Sequence, residues 1–538
     1  MLALPLLLGP LADFELTVHL PPQAPAELEA LFWRVADPRD PLYARHHAYA
    51  SELSHLAGGA PHAVAAASAW LRRLGASRLT LSPLGDTLTA AFAAEPPHTP
   101  PHGVPRGAPA GALVTRREQS PPAASAAPPR LGAAAGYSIS AQKRAYGLPA
   151  SLSARDARTT VMVWGPGTFG YSPLALRLFK LTHGVPINLE KVRFDTAHHG
   201  TPGGDNFGEG SLDVRMAASF ALNATVLVSN TNTSVATEEG AGFGVALLDF
   251  LSSLASRETL PQVLSLSLGS LSPRSCNLLC AHAAREYAVE PNECASFLQA
   301  QRQVCMFESE AQVALIDRAL QVLGLRGVTV VGSSGDGGSH WSFGPFEGSS
   351  PIAAALNKVG CEFQFPIYPS PSPFMLSIGG TAWKDMDPSQ PISWSGSGGG
   401  FSWQCPMPAF QREVVHAYLS GTAGTPPAAS FNASGRAYPD VSAIAVEGTS
   451  ESAPTVGGIF ALAIDARLRA GLPPLGFVGT RVWQVAQQHP GEAFEDVTVG
   501  NSKTSCENGF PAAKGWDPVT GWGRIKWEGF SKYFAAAP

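Results

Sequence analysis

Val328-Thr-Val-Val-Gly-Ser-Ser-Gly-Asp-Gly-Gly338 is a short apolar run that empties into a glycine-rich loop. Four further stretches share this character: TTVMVWG (159–165), ATVLVSN (224–230), VLSLSLGS (263–270) and FMLSIGGT (374–381). Helical stretches separate them. Strands buried on both faces read as near-continuous apolar runs, and their alternation with helices predicts an α/β fold with a parallel sheet flanked by helices. In such sheets active residues gather in loops at the carboxyl ends of strands. Asp336 stands in one of those loops.

Upstream, the pattern is different. Residues 96–130 are dense in Pro, Ala and Gly, lack hydrophobic periodicity and are expected to be an extended linker with a maturation site, dotted with Arg116, Arg117 and Arg130. Before it, residues 13–95 predict a small α/β unit: strand-like FELTVHL (14–20), helices over 26–36 and 62–74, and strand-like LTAAF (88–92). Residues 1–12 read either as a weak or truncated secretory leader or as an ordinary buried start. Residues 131–538 form the large unit.

The 538 residues are 45% hydrophobic and 15% charged, with a formal net charge of −5, so a globular chain is expected and a nucleic-acid binder is not. No apolar stretch is long enough to span a bilayer. Of seven cysteines, Cys276, Cys280, Cys294 and Cys305 crowd together without zinc-finger histidines, which predicts local disulfides in an oxidising compartment. Cys361, Cys405 and Cys506 remain, enough to leave one unpaired. Sequons at Asn223, Asn232 and Asn432 suit a glycoprotein.

The chemistry starts at Glu447-Gly-Thr-Ser450-Glu-Ser-Ala-Pro454. Gly448 relieves crowding at a sharp turn, and Pro454 is expected in the first turn of the next helix. A serine at a helix start has its own N–H available for an oxyanion, although the same residues could simply cap the helix. The pattern G-T-S-x-[SA]-x-P is similar to the serine motif of the subtilisin clan and favours a nucleophile. His199 offers a conventional base, but the strand 159–165 ends without the aspartate that would orient an imidazole, so His199 reads as a loop residue. Glu209 and Asp213 instead stand four apart at the head of a helical stretch and share one face, which Met216 and Phe220 continue. Burial there would raise at least one pKa and favour a shared proton; a solvated acidic helix start is the alternative. Asp336 could donate to an oxyanion only if protonated, and is otherwise turn chemistry. Farther on, Asp496 and Asp517 lie among glycine-containing turns. They supply the hard oxygens calcium prefers, or else merely initiate those turns.

Longer stretches carry a family resemblance: Ala36-Asp-Pro-Arg-Asp-Pro-Leu-Tyr43, Ser377-Ile-Gly-Gly-Thr381, Ser397-Gly-Gly-Gly-Phe-Ser402, FNASGRAYPDV (431–441), Pro473-Pro-Leu-Gly-Phe477 and Gly515-Trp-Asp-Pro-Val-Thr-Gly-Trp-Gly523. With the serine motif, the sequence resembles the sedolisin family of serine–carboxyl peptidases over nearly its whole length. The resemblance implies a subtilisin-like catalytic domain with Glu209 as base, Asp213 behind it, Ser450 as nucleophile and Asp336 in the oxyanion hole. It implies one Ca2+ held by Asp496, Asp517 and the carbonyls of Val497, Ala513 and Gly515. It also implies a ferredoxin-like pro-domain that inhibits its own peptidase and is removed near Leu131. The expected activity is acid hydrolysis of peptides through an acyl-enzyme, releasing tripeptides from free amino termini. An endopeptidase and a catalytically inactive glycoprotein are the alternatives. The expected location is a lysosomal or vacuolar lumen, or outside the cell. Three positions depart from the family pattern. Glu447 stands where Ser is usual, and Ala513 replaces a glycine. The segment between Val441 and Gly448 is short, and the strand leading to the serine turn is expected to be missing from it.

Overall fold

The computed structural model describes residues 14–94, 96, 108, 110–117, 137–167, 169–195, 208–231, 242–301, 304–339, 346, 350–504 and 506–536. His199, Asn232, Arg130, Leu131 and the leader lie outside the described residues.

Residues 14–117 build a four-stranded antiparallel sheet, in which Arg78–Leu81, Thr87–Phe92, Phe14–His19 and Leu113–Arg117 lie side by side in that order. The helices Pro25–Ala36 and Pro61–Arg73 both fall between the first two strands of the chain. Their apolar faces point to different partners. Ala67, Trp70 and Leu71 cover the small sheet, whereas Phe32 and Val35 join the core of the larger unit. Leu113–Arg117 corrects the expected linker: this stretch is a strand, paired antiparallel with Phe14–His19. Ala-Leu-Val-Thr is too short to show a strand period among prolines and glycines, and its order comes from the partner strand.

The large unit contains a ten-stranded sheet. Its path runs Phe494–Glu495, Arg524–Ile525, Val441–Ile444, Leu376–Trp383, Thr329–Ser333, Val263–Leu266, Thr160–Pro166, Thr225–Thr231, Val192–Phe194, with Pro391–Ser393 paired to Leu376–Trp383. All of the apolar runs singled out in the sequence are strands of this sheet, and their pairings with one another are parallel. Thr160–Pro166 lies inside the sheet. The chain leaves it first toward one edge and then crosses to build toward the other, which creates a topological switch point beside Val263–Leu266.

Two helices, Gly208–Phe220 and Thr449–Arg469, lie against one another on this sheet. The second is buried nearly all round, as a largely apolar helix inside a domain must be. Their contact is close: a Cβ on Gly458 would fall 2.9 Å from the Phe220 Cβ. The expected gap before the serine turn is filled, because Val441–Ile444 is itself a strand, parallel to both Leu376–Trp383 and Arg524–Ile525. Four residues suffice because both neighbours satisfy its backbone.

The small unit docks on the large one through buried polar pairs as well as aromatic rings. His19 lies 2.8 Å from Asp249, and Asp86 lies 2.9 Å from Arg318, all four fully enclosed. Phe32 packs edge-on against Phe374 at 5.1 Å. Disulfides join Cys276 to Cys305, Cys280 to Cys294 and Cys361 to Cys506, leaving Cys405 free and buried. No described helix is long and apolar enough to cross a membrane.

Candidate active site

Three strand ends and two helix starts meet above the sheet. Val441–Ile444 leads through Glu447 and Gly448 into the helix that carries Ser450. Gly448 adopts φ 91°, ψ 173°, a region open essentially to glycine alone. That turn starts the helix at Thr449, earlier than expected, so Pro454 lies inside the helix and not in its first turn. Proline has no N–H to donate, and the Ser450 carbonyl four residues back therefore loses its intrahelical partner.

Ser450 is buried, and its hydroxyl hydrogen-bonds the Glu209 carboxyl. The same hydroxyl lies 3.4 Å from the carbonyl oxygen of Ser267, the first residue beyond the strand Val263–Leu266. Glu209 stands in the first turn of Gly208–Phe220 and keeps some contact with solvent, while its Oε1 is enclosed without a hydrogen-bond partner. Asp213, one turn on, is fully buried, and Ser267 Oγ donates to its Oδ1 at 2.8 Å. Burial is the main reason both carboxyls sit above the ordinary range. The Ser450 hydrogen bond offsets part of the push on Glu209, and the Glu209 charge raises Asp213 further. The helix face expected from the four-residue spacing is therefore real: it points into the protein toward Ser450.

Asp336 follows the strand Thr329–Ser333. Its Oδ1 accepts from Thr449 N–H and Thr449 Oγ1, each at 2.8 Å, and Thr449 Oγ1 in turn accepts from Gly335 N–H at 3.1 Å. The residue reaches solvent, yet the protein crowded around its carboxyl raises its pKa, with the two Thr449 hydrogen bonds opposing. Asp336 Oδ2 packs where a side chain on Gly448 would have to go, 2.5 Å from the position of its Cβ.

All four residues singled out by sequence thus converge. Ser267 and Thr449 join them without having been singled out. Ser267 ends an apolar run, so the strand-end rule is the signal that points to it; nothing local separates it from other serines in VLSLSLGS. The unusual Glu447 forms an ion pair with Arg215 of the Glu209 helix, which itself lies over the Phe179 ring. A second carboxylate, Glu451, is buried beside Ser450.

The residues expected to bind calcium also come together. Asp496 Oδ2 accepts from Gly515 N–H at 2.7 Å, Asp517 Oδ2 accepts from Ala513 N–H at 3.0 Å, and Asp517 feels the charge of Asp496. Asp496 Oδ1 is enclosed and has no hydrogen-bond partner, which suits a cation ligand. Val497 O accepts from Thr520 Oγ1 at 3.3 Å. Among the described residues no group of three or more His, Cys, Asp or Glu could hold a metal, so a cation here would need backbone carbonyls as well.

Known proteins share parts of this sequence and its fold. Tripeptidyl-peptidase 1 of Homo sapiens is 36% identical over 238 residues, 40% of this chain and 38% of its own length. The Rattus norvegicus protein of the same name is 39% identical over 222 residues, 37% and 36% respectively. The match therefore spans well under half the length of these curated relatives. Pseudomonas sedolisin, a serine-carboxyl proteinase solved with pseudo-iodotyrostatin, covers 75% of this chain and 98% of its own with a TM-score of 0.51. The chain is thus similar to tripeptidyl-peptidase 1 in part of its sequence and to sedolisin in its fold. No family model matches the sequence. At 21% identity the sedolisin structure speaks to the fold alone, and it agrees with the parallel sheet described above.

Proposed function

We propose that the chain is an acid-acting serine–carboxyl peptidase that uses Ser450 as nucleophile and Glu209 as general base. The observation that carries this reading is the hydrogen bond between the Ser450 hydroxyl and the Glu209 carboxyl, with the buried Asp213 one helical turn behind it. Glu209 takes the hydroxyl proton as Ser450 attacks the peptide carbonyl, and returns it to the leaving amine. Asp213, fixed by Ser267, keeps Glu209 in place and accommodates the proton within the pair. Asp336, protonated, donates to the developing oxyanion, a role for which its raised pKa is the requirement. Water then resolves the acyl-enzyme by the same base.

Both the base and the oxyanion donor are carboxyls, so the active form has one ionised and the other protonated. That sets a bell-shaped pH profile with its limbs in the carboxylate range, shifted upward by burial. Asp496 and Asp517 would hold Ca2+ with the carbonyls of Val497, Ala513 and Gly515, and a bound cation there would neutralise one half-buried and one fully buried carboxylate. Residues 13–95, extended by the strand Leu113–Arg117, act as a pro-domain that inhibits until cut away. The disulfides and sequons suit a lysosomal lumen or secretion, and the substrate class is peptides with a free amino terminus, cut three residues in.

The test uses the full chain after acid incubation, with an amino-terminal tripeptide reporter and an internally quenched peptide. Loss of activity in Ser450→Ala and Glu209→Gln, with His199→Ala active, is expected. Activity surviving in Ser450→Ala sinks the assignment. Cleavage of the quenched peptide but not of the tripeptide reporter replaces tripeptide release with internal cleavage.

A further inference from the structure

The turn that carries Ser450 is gripped from outside its own helix by the first described residues of the large unit, 137–146. Three contacts make the grip. Gln142, buried in the helix Ile139–Ala145, donates through Nε2 to Glu451 Oε1 at 2.8 Å and to the Tyr137 carbonyl at 3.2 Å. Tyr146 Oη accepts from Ile444 N–H at 2.8 Å. Tyr137 stacks on Trp383 at 4.6 Å, and its Oη accepts from Trp383 N–H at 2.9 Å. Ile444 and Trp383 are the last residues of neighbouring strands, so the segment ties two strand ends and the serine turn together.

Glu451 is the centre of this arrangement. Its Oε2 accepts from Glu447 N–H at 3.1 Å, while its Oε1 accepts from Gln142. One carboxyl therefore spans the turn from Glu447 to Ser450, with one oxygen on the first residue of the turn and the other on the segment. A buried carboxyl is costly unless both oxygens are bonded, and here each has one donor. The Gln142 amide is oriented by its two acceptors alone, since its Oε1 has no partner.

We propose that residues 137–146 form a strap that positions Ser450, with Gln142 and Glu451 as positioning residues for the nucleophile. The proposal rests on Ser450 being the nucleophile. Without the strap the turn keeps its covalent geometry and its bonds to Asp336 and the strand end, but loses the tie through Glu451 that fixes its other side. The consequence is a slower chemical step with no change in how substrate binds.

The experiment compares the full chain, Ser450→Ala, Gln142→Ala, Gln142→Lys and Tyr137→Phe after acid incubation. It reads kcat and KM on peptide reporters, the rate of Ser450 labelling by a covalent serine-directed probe, and the thermal unfolding midpoint. Gln142→Ala is expected to lower kcat and labelling about tenfold with KM unchanged, in line with the cost of sub-ångström misplacement. Gln142→Lys, whose ammonium donates to the same two oxygens, is expected to recover most of that loss. Tyr137→Phe removes one hydroxyl from the strap and should lower kcat in the same sense, which serves if Gln142→Ala does not fold. Wild-type kcat in folded Gln142→Ala or Tyr137→Phe overturns the strap. Equal losses in folded Gln142→Ala and Gln142→Lys also overturn it, because packing and not the donor would then be at stake. If the unmodified chain neither hydrolyses peptides nor labels at Ser450, the peptidase reading fails and takes the strap with it; an active chain with an indifferent Gln142→Ala removes the strap alone.

Discussion

Replacing Gly448 by alanine tests the geometry of the serine turn with a single methyl group. The new Cβ would meet Asp336 Oδ2 at 2.5 Å, Cγ at 3.1 Å and Oδ1 at 3.2 Å. Ordinary contact begins near 3.4 Å, so roughly 0.9 Å of separation has to be found between the turn and the Asp336 carboxyl. Asp336 cannot simply swing away, because Thr449 N–H and Oγ1 hold its Oδ1. The backbone objects independently: φ 91° with ψ 173° costs a residue other than glycine about 1–3 kcal/mol. The strain is local, so the protein should fold with a lowered unfolding midpoint. Displacement on this scale between nucleophile and oxyanion donor is expected to cost about 100-fold in kcat. Labelling of Ser450 by a covalent probe measures the chemical step directly, and thermal unfolding reports the strain. A folded Gly448→Ala protein with wild-type kcat and labelling would refute both the placement of Asp336 and the need for glycine.

Ser267→Ala removes the hydrogen bond that holds Asp213, and a bond of this kind is worth about 0.5–1.5 kcal/mol, so kcat should fall by up to about tenfold; an unchanged kcat denies Asp213 a positioning role. Burial pushes Glu451 from 4.5 up to about 7. A raised folded-state pKa contributes stability that is complete below the unfolded value and disappears as pH rises through the folded one. The unfolding free energy should therefore drop between about pH 4.5 and pH 7, with up to about 3 kcal/mol of the drop owed to this group. Glu451→Gln should flatten that slope in pH-dependent denaturation, and an identical slope would acquit Glu451. Chelation should lower the unfolding midpoint if Asp496 and Asp517 bind calcium, and Asp496→Asn should erase the difference between chelated and calcium-loaded protein.

Much of this molecule is legible in its sequence, for reasons that can be named. Buried parallel strands announce themselves as apolar runs, and all five of those runs are strands of the large sheet. Glu209 and Asp213 are legible because a four-residue spacing translates directly into a shared helix face. Two elements are hidden because their order is supplied by neighbours and not by local preference. Val441–Ile444 is four residues long and is held by parallel partners on both sides. Leu113–Arg117 is a strand inside a proline-rich stretch only because Phe14–His19 offers it an edge. Ser267 and Gln142 are invisible for another reason. Each acts on a residue far away in the chain, Asp213 or Glu451, and no window of sequence contains both partners.

The switch point in the large sheet bears on the order in which the molecule can become reactive. Ser450 is delivered by a strand that is inserted between Leu376–Trp383 and Arg524–Ile525. Glu209, Ser267 and Asp336 all precede it in the chain, and Arg524–Ile525 follows by more than seventy residues. During synthesis a ribosome would thus release the base, the orienting serine and the oxyanion donor well before the nucleophile strand could be sealed on its second side. Whatever hydrolytic power the chain has therefore waits on the pairing of a strand that lies beyond the nucleophile in sequence.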